Sequence, residues 1–221
     1  GVGVDISALR PKGATVNNSA RITTGACSFM DTFSQVTETI GQNGRRGALM
    51  LSLDINHPDI EEFIDIKTDL DRVTKANISV RVNDEFMQKV LNDETHICKF
   101  TVEASGEVIT KEVNARKLFM RLCENNWNYA EPGILYWSRI EDYNILSEDK
   151  DFKYGGVNPC AEEPLPVGGS CLLGSFNLNA YVKDKKFNLE EFKHDIHIVV
   201  KAMNDVLDEG LPLHPLQVQR D

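Results

Sequence analysis

Short apolar segments of strand length alternate along this chain with segments whose apolar residues repeat at helical spacing. Residues 48–55 give the clearest strand pattern, and residues 188–210 give the clearest helix pattern. Parallel neighbouring strands require a long crossover, usually a helix, whereas antiparallel neighbours need only a short turn. The alternation therefore predicts an α/β fold with largely parallel strands.

The remaining elements follow from the same periodicities and from capping residues. Strands are predicted at 2–7 and 77–82, with a hairpin over 96–113 that turns at Ser105-Gly106. Helices are predicted at 28–40, 56–66 and 84–91, from Asn114 to the break at Pro132-Gly133, and from Asn188 to Gly210. Asp84 and Asn114 are predicted N-caps, and Asn188 with Glu191 resembles a capping box. A long loop is predicted over 10–25, a turn over 41–47 and a short element over 134–140.

Length, charge and cysteine usage limit the class of protein. With 221 residues and no visible repeat or linker, the sequence predicts one compact unit. The net charge of −10 disfavours a surface for polymeric nucleic acid, and no apolar run approaches the roughly 18 residues that span a bilayer. Five cysteines without Cys-x-x-Cys spacing indicate a reducing cytoplasm rather than a disulfide scaffold or zinc ribbon. The chain opens inside a strand pattern without Met, so we expect a piece of a longer protein.

The strongest candidate for chemistry is the stretch Asn158-Pro159-Cys160-Ala161-Glu162. If this segment is extended, Asn158, Cys160 and Glu162 point to one side, because side chains alternate with period two. Pro159 excludes the middle of a helix or of a central strand. A stiff loop that carries an amide, a thiol and a carboxylate suits catalysis. The competing interpretation of Cys160 is a small buried hydrophobic residue.

Other residues are weaker candidates for a catalytic or binding role. Cys27, Cys98 and Cys123 lie in apolar or strand-like stretches, which favours structural roles. The five histidines form no metal-ligand pattern, so no metal site is predicted. The loop over about 14–24 is either a surface loop or a nucleotide-sensing loop. Its short hydrogen-bonding side chains include Asn17, Asn18, Ser19 and Arg21.

Several stretches, in order along nearly the whole chain, resemble the catalytic subunits of ribonucleotide reductases. The most specific is Asn158-Pro159-Cys160-Ala161-Glu162-Glu163-Pro164-Leu165, followed by Cys171-Leu172-Leu173-Gly174-Ser175-Phe176-Asn177-Leu178, which resembles the finger-loop signature of that family. The other stretches are Gly3-Val4-Asp5-Ile6-Ser7, Leu9-Arg10-Pro11-Lys12-Gly13, Gly25-Ala26-Cys27-Ser28-Phe29-Met30, Arg45-Arg46-Gly47-Ala48, His57-Pro58-Asp59-Ile60-Glu61-Glu62-Phe63-Ile64 and Glu131-Pro132-Gly133-Ile134.

The resemblance implies a fold and a role for each finger-loop residue. The fold would be part of a ten-stranded α/β barrel, with a finger loop at about 155–170 in its centre. Cys160 would carry a thiyl radical that removes the ribose 3′-hydrogen, Glu162 would be the general base, and Asn158 would bind the ribose hydroxyls. The substrate would contact Gly3 and the whole stretch, Asn158, Pro159, Cys160, Ala161 and Glu162. Gly3 lacks a side chain and would let the substrate approach the strand closely.

The resemblance also implies a reductant, an effector and partners. Cys171 would belong to a redox-active cysteine pair whose other member lies before Gly1, so this chain alone is expected to be inactive. The loop at about 14–24 would sense a deoxynucleotide or ATP effector. A ribonucleoside di- or triphosphate would be the substrate, a thioredoxin-like protein or other external dithiol the reductant, and a homodimer the assembly.

The source of the radical is the least determined part of the resemblance. The eleven-residue separation of Cys160 and Cys171 resembles the adenosylcobalamin-dependent members. Members that use a separate metal-containing radical subunit are the alternative. A nucleotide-binding or dimerising module without catalysis also stays open, and a thiol hydrolase lacks a nearby His partner.

Overall fold

The computed structural model describes residues 1–40, 45, 47–210 and 215, which divide into two compact units, Gly1–Pro164 and Leu165–Asp221. The sequence predicted one compact unit where two are present, and the assignment of residues 1–221 to a single barrel domain stays a prediction. The stretch after Pro164 contains Pro166, Gly168 and Gly169 and has no helix or strand between Pro166 and Leu178. Most of the predicted turn at 41–47 lies outside the described residues.

The described part of the first unit contains seven strands and five α-helices. The strands are β1 (Val2–Asp5), β2 (Leu49–Asp54), β3 (Asn77–Val82), β4 (Thr95–Thr101), β5 (Val108–Asn114), β6 (Gly133–Tyr136) and β7 (Tyr154–Val157). The α-helices are α1 (Met30–Thr39), α2 (Ile60–Asp65), α3 (Asp84–Asn92), α4 (Ala115–Tyr129) and α5 (Trp137–Asp142). Short 3-10 helices occupy Ala26–Phe29 and Ile66–Thr68.

Four of these strands form a parallel sheet in the order β1-β2-β3-β6. This confirms the predicted α/β class with parallel strands. Among the described residues the sheet is open and has four strands, so the closed ten-stranded barrel stays a prediction. The predicted hairpin is confirmed as the antiparallel pair β4–β5.

The two faces of the parallel sheet differ in chemistry. Alternate residues of each strand are aliphatic, and together with helix residues they form the main core. The strand residues of this face include Leu49, Leu51, Leu53, Ile78, Val80 and Val82, all 5% exposed or less. Burial of each such side chain contributes about 2 kcal/mol. The other face is polar or glycine-rich, with Gly3, Asp5, Ser52, Asn77, Ser79 and Arg81 on neighbouring registers.

Local capping chemistry sets several helix boundaries. Asn114 accepts a hydrogen bond from the backbone N–H of Lys117 at 2.8 Å, as predicted for the start of α4. The predicted cap at Asp84 is wrong, because Asn83 caps α3 by accepting from the Phe86 N–H at 2.8 Å. The predicted helix at 56–66 begins only at Ile60, since residues 56–59 form a hydrogen-bonded turn. The short element at 134–140 divides into β6 and α5.

The second unit contains a long helix and a cluster of aromatic rings. Its elements are the 3-10 helix Leu178–Tyr181, strands β9 (Val182–Lys183) and β10 (Lys186–Phe187), and helix α6 (Leu189–Glu209); the short strand β8 (Pro164–Pro166) spans the boundary. Asn188 caps α6 as predicted and accepts from the Glu191 N–H at 3.2 Å. None of the α6 side chains is buried by the part of the chain that the structure describes.

No helix within the described ranges has the length and apolar character needed to cross a membrane.

His96 gives the first unit a testable pH dependence. Its ring is 2% exposed, packs edge-on against Phe86 with centroids 5.1 Å apart, and has no hydrogen-bond partner for either nitrogen among the described residues. Burial, reinforced by Lys89, lowers the pKa of His96 below its ordinary 6.5. The unfolded chain therefore takes up this proton first as the pH falls, and stability that is complete above pH 6.5 is lost progressively below it.

We expect the free energy of unfolding in urea to fall between pH 7.5 and 5.5, by at most about 1.4 kcal/mol per pH unit from this one proton. His96→Phe should flatten this slope, whereas the control His194→Phe, at an exposed position on α6, should keep it. An unchanged slope in His96→Phe would show that other groups cause the dependence.

Candidate active site

The stretch 158–162 forms a turn, which agrees with the stiff loop that the sequence predicted. The Ala161 N–H donates to the Asn158 carbonyl oxygen at 3.0 Å, which closes a four-residue turn with Pro159 in its second position. Proline suits that position because its ring fixes φ near −65°. The expectation that Asn158, Cys160 and Glu162 point to one side held only for an extended segment, and the segment is a turn.

The turn is closed a second time by Asn158. Its backbone N–H donates to the Glu163 carbonyl oxygen at 3.2 Å, and its Oδ1 accepts from the Glu163 N–H at 3.0 Å. The side-chain oxygen of Asn158 is therefore occupied by a hydrogen bond within the loop. Its Nδ2 donates no hydrogen bond within the described part of the chain and is free to bind a ligand.

Ala161 is held in an uncommon backbone conformation. Its φ of 69° lies in the left-handed region, which a residue with a Cβ rarely adopts. Such residues persist when their surroundings hold them in place, and they cluster at functional sites. Ala161 packs against a small core of Met50, Leu135, Trp137 and Val157.

The finger loop (residues 155–164 in the first unit) lies on the polar face of the sheet. A Cβ built on Gly3 would lie 1.6 Å from the Val157 carbonyl oxygen, so only glycine permits this approach of β7 to β1. Gly3 was predicted to let the substrate approach the strand closely. In the structure, the backbone of β7 makes this close approach. Asn77 adds a direct bond from the sheet, since its Nδ2 donates to the Pro159 carbonyl oxygen at 2.9 Å.

Cys160 and Glu162 are both exposed on this turn. Neither forms a hydrogen bond or ion pair with another side chain in the described ranges, so both are available to a ligand. Cys171 is also exposed, in the second unit. A free thiol, a free carboxylate and a free amide N–H₂ on one rigid turn can abstract a hydrogen or proton and bind hydroxyl groups.

The other cysteines of the first unit have the structural character that the sequence predicted. Cys27 and Cys98 are buried, and Cys123 is half-buried. Burial, followed by the charges of Glu62 and Asp59, raises the pKa of Cys27 far above its ordinary value. Burial raises the pKa of Cys98 to about 11 and also raises that of Cys123. A thiol that stays protonated is a poor nucleophile.

The sequence interpretation missed a polar network on the same face of the sheet. Asp5 forms an ion pair with Arg81 at 3.0 Å and accepts from the Ser52 hydroxyl at 2.7 Å. The Arg81 guanidinium carbon lies 3.6 Å from the centroid of the Trp137 ring, and Trp137 donates to Glu141 at 2.8 Å. The network therefore holds Trp137 where it packs against Val157 of the finger loop. Polar residues at every second position of β2 and β3 were the signal that could have revealed this face.

The predicted effector loop lies in the same unit. Asn18 accepts through its side chain from the Ala20 N–H at 2.9 Å, and Arg21 adopts a φ of 62°. Asn17, Asn18, Ser19 and Arg21 are all exposed. The loop is not featureless, because Thr15 and Ile22 form an isolated antiparallel bridge.

A family model described as "Ribonucleotide reductase, barrel domain" matches residues 1–220. A vitamin B12-dependent ribonucleoside-diphosphate reductase of Thermoplasma acidophilum is 36% identical over 211 residues, which cover 94% of this chain and 27% of that protein. A vitamin B12-dependent ribonucleotide reductase of Streptomyces avermitilis is 33% identical, and the match covers 92% of this chain and 24% of that protein. A vitamin B12-dependent ribonucleoside-diphosphate reductase of Mycobacterium tuberculosis is 29% identical, and the match covers 94% of this chain and 30% of that protein. The chain thus spans about a quarter to a third of these curated relatives.

Proposed function

Because the chain belongs to the ribonucleotide reductase barrel-domain family, we propose that the full-length protein reduces ribonucleotides to 2′-deoxyribonucleotides with the finger loop as its catalytic element. The rigid turn that presents Cys160 beside Glu162 and the free Asn158 amide is the observation that carries this proposal. In the intact protein, this segment forms part of a ten-stranded barrel that encloses the turn. The deoxyribonucleotides supply DNA synthesis in the cytoplasm.

Each group on the turn has one task. The Cys160 thiyl radical takes the hydrogen atom from C3′ of the ribose and becomes a thiol. Glu162 accepts the proton of the 3′-hydroxyl, and the Asn158 N–H₂ group donates to a ribose hydroxyl. The carboxylate places negative charge on the 3′-oxygen, which makes departure of the 2′-hydroxyl easier.

The electrons come from a cysteine pair that includes Cys171. The 2′-hydroxyl leaves as water with one proton of this pair, and the second hydrogen of the pair goes to C2′. The pair has then supplied two electrons and closes a disulfide, while Glu162 returns its proton to the 3′-oxygen. The hydrogen atom held by Cys160 then returns to C3′, which restores the radical. Overall, one ribonucleotide and one dithiol give one deoxyribonucleotide, one disulfide and one water. An external dithiol, such as a thioredoxin-like protein, reduces the disulfide.

We propose adenosylcobalamin as the source of the radical, because relatives of this chain are named as vitamin B12-dependent reductases. When bound, this cofactor supplies a carbon radical by homolysis of its cobalt–carbon bond. From this chain, the exposed Cys160 thiol would receive the radical, because an open thiol on a turn fits a radical donor that binds from outside the segment. The loop at 14–24 binds a deoxynucleotide or ATP effector, and the protein acts as a homodimer on nucleoside di- or triphosphates.

The cofactor assignment is tested by spectroscopy of the full-length protein with adenosylcobalamin, a ribonucleotide and a dithiol. The expected result is an absorbance change that signals cleavage of the cobalt–carbon bond. No change, together with activity on addition of a metal-containing radical subunit, would assign the protein to the other class.

Asn77 is expected to position the turn for this reaction. Asn77→Asp keeps the shape of the side chain but replaces the donor to the Pro159 carbonyl oxygen with a carboxylate, which repels that oxygen. We expect kcat to fall about tenfold with KM changed less than about twofold, because misplacement of a reactive group costs rate more than binding. Asn77→Gln retains a donor and should recover part of the rate. Equal kcat values for wild type and Asn77→Asp would show that this bond does not position the turn.

A further inference from the structure

The loop Gly13–Gly25, which contains the proposed effector-binding residues, is a short two-stranded arm. The Gly13 N–H donates to the Thr23 carbonyl oxygen at 2.9 Å, and the Thr23 N–H donates to the Ala14 carbonyl oxygen at 2.9 Å. The Val16 N–H donates to the Arg21 carbonyl oxygen at 2.8 Å. The tip beyond these bonds is exposed, whereas Ala14 is fully buried. The arm therefore has a fixed base and a free tip.

Asp59 fixes the base from both sides. Its carboxylate accepts from the Lys12 N–H at 3.0 Å and from the Ala26 N–H at 2.9 Å, so one side chain joins the residues that enter and leave the loop. Gly25 adopts a φ of 99°, and a Cβ there would lie 2.8 Å from the Asp59 carboxylate. Asp59 is only 7% exposed, so these bonds are protected from water.

The segment 56–61, which contains Asp59, also contacts the β4–β5 hairpin. His57 bonds through Nε2 to the Leu9 carbonyl oxygen at 2.9 Å, and its ring packs edge-on against Phe100 of β4. The Lys99 N–H donates to the Asn56 carbonyl oxygen at 2.7 Å, and Lys111 of β5 forms an ion pair with Glu61 of α2 at 2.6 Å. The hairpin and the base of the arm are therefore both bonded to residues 56–61.

The end of the β4–β5 hairpin contacts the arm through one hydrogen bond. The Glu107 Oε2 accepts from the Thr15 N–H at 3.0 Å, across 92 residues of sequence. Thr15 lies between the base of the arm, which Asp59 holds, and the exposed tip. Donation from Thr15 also lowers the pKa of Glu107, because the hydrogen bond favours the charged carboxylate. This bond is the contact through which the hairpin can restrain the upper part of the arm.

We propose that Glu107 is a specificity-determining positioning residue, which holds the arm in the position from which a bound effector sets substrate choice. The proposal rests on the proposed function of the loop and adds to it an outside restraint. An arm clamped at its base and held at Thr15 has few positions, and effector binding selects among them. Without Glu107, the arm samples positions that do not depend on the effector, so the coupling between effector and substrate weakens.

The test compares Glu107→Ala with Glu103→Ala in the full-length protein. Glu103 is an exposed carboxylate at the same end of the hairpin, so the control removes an equal charge without touching Thr15. Hydrogen exchange reports the Thr15 amide. Turnover of two competing ribonucleotides is measured without effector and with each of the four deoxynucleoside 5′-triphosphates, added one at a time.

For Glu107→Ala we expect at least about threefold faster exchange at Thr15, turnover without effector within about twofold of wild type, and at least a threefold smaller effector-induced change in the ratio of products. Glu103→Ala should match wild type in all three. Unchanged exchange at Thr15, or an effector response equal to wild type, overturns the proposal. An equal loss of turnover with and without effector also overturns it, because that indicates a structural role alone.

The proposed function fails separately from this proposal. A wild-type protein that reduces no ribonucleotide contradicts the proposed function and, with it, this role of Glu107. A wild-type protein that is active and regulated, with a Glu107→Ala variant that responds normally, contradicts the role of Glu107 alone.

Discussion

Replacement of Cys160 by serine is expected to lower ribonucleotide reduction by the full-length protein at least about 1,000-fold, as found when the central group of a catalytic set is removed. Serine keeps the size of the side chain, so the turn closed by Asn158 and Ala161 should persist. The reaction nevertheless stops, because an O–H bond is too strong to replace the S–H bond in reversible hydrogen transfer. The measurement is deoxyribonucleotide formed per protein, with substrate binding followed separately by equilibrium dialysis.

Cys123→Ser is the matched control for Cys160→Ser. Cys123 lies half-buried on α4, and burial raises the pKa of its thiol. Its replacement removes one sulfur atom from the same unit and should leave turnover within about twofold. If Cys160→Ser bound substrate and still turned over at the wild-type rate, the proposed role of the finger-loop thiol would be refuted. A protein whose function survives Cys160→Ala would be a binding module instead.

The second large effect is expected at Gly3. In Gly3→Ala the new Cβ would lie 1.6 Å from the Val157 carbonyl oxygen, a distance that no pair of nonbonded atoms tolerates. β7 must therefore move away from β1 by more than an ångström and take the catalytic turn with it. We expect about 3 kcal/mol less stability toward urea, typical of an overpacked site, and about 100-fold lower kcat.

Gly156→Ala provides the comparison on the strand that approaches Gly3. A Cβ at Gly156 meets only the Asp5 backbone nitrogen, at the ordinary distance of 3.9 Å. This variant should keep most of its stability and turnover. Wild-type turnover in Gly3→Ala would mean that the finger loop does not depend on this close contact.

Predictions based on local chemistry were the most reliable. Asn114 and Asn188 were recognised as caps because an Asn side chain bonds to a backbone N–H two or three residues ahead, and both bonds are present. The strand at 49–54 was predicted from a strongly apolar run, and the strand at 77–82 from apolar residues at alternate positions. The Asp84 cap failed because two good capping residues, Asn83 and Asp84, stand side by side and the sequence does not decide between them.

The geometry of the turn was harder to predict than its composition. The motif selected the candidate reactive residues and indicated a stiff loop, but a common side for them was expected only in an extended segment, and a turn is present. A proline is compatible with both, and the choice depends on hydrogen bonds that Asn158 makes with Ala161 and Glu163. The burial of α6 also could not be judged, because an amphipathic stripe shows which face is apolar and not whether a surface covers it.

Long-range contacts carry no local sequence signal. Gly3 meets Val157, Asn77 meets Pro159, and Glu107 meets Thr15 across 154, 82 and 92 residues of sequence. Each contact joins residues whose neighbours in sequence fit several other folds equally well. The residues that position the turn and the arm could therefore be identified only from the structure.

The most direct test of the account is product analysis with the full-length protein, a ribonucleotide, a dithiol and adenosylcobalamin. The account predicts a 2′-deoxyribonucleotide, with one disulfide formed per product and with loss of the reaction in Cys160→Ser. A protein that binds the ribonucleotide but returns it unchanged, with adenosylcobalamin and with a metal-containing radical subunit alike, would contradict the proposed reduction.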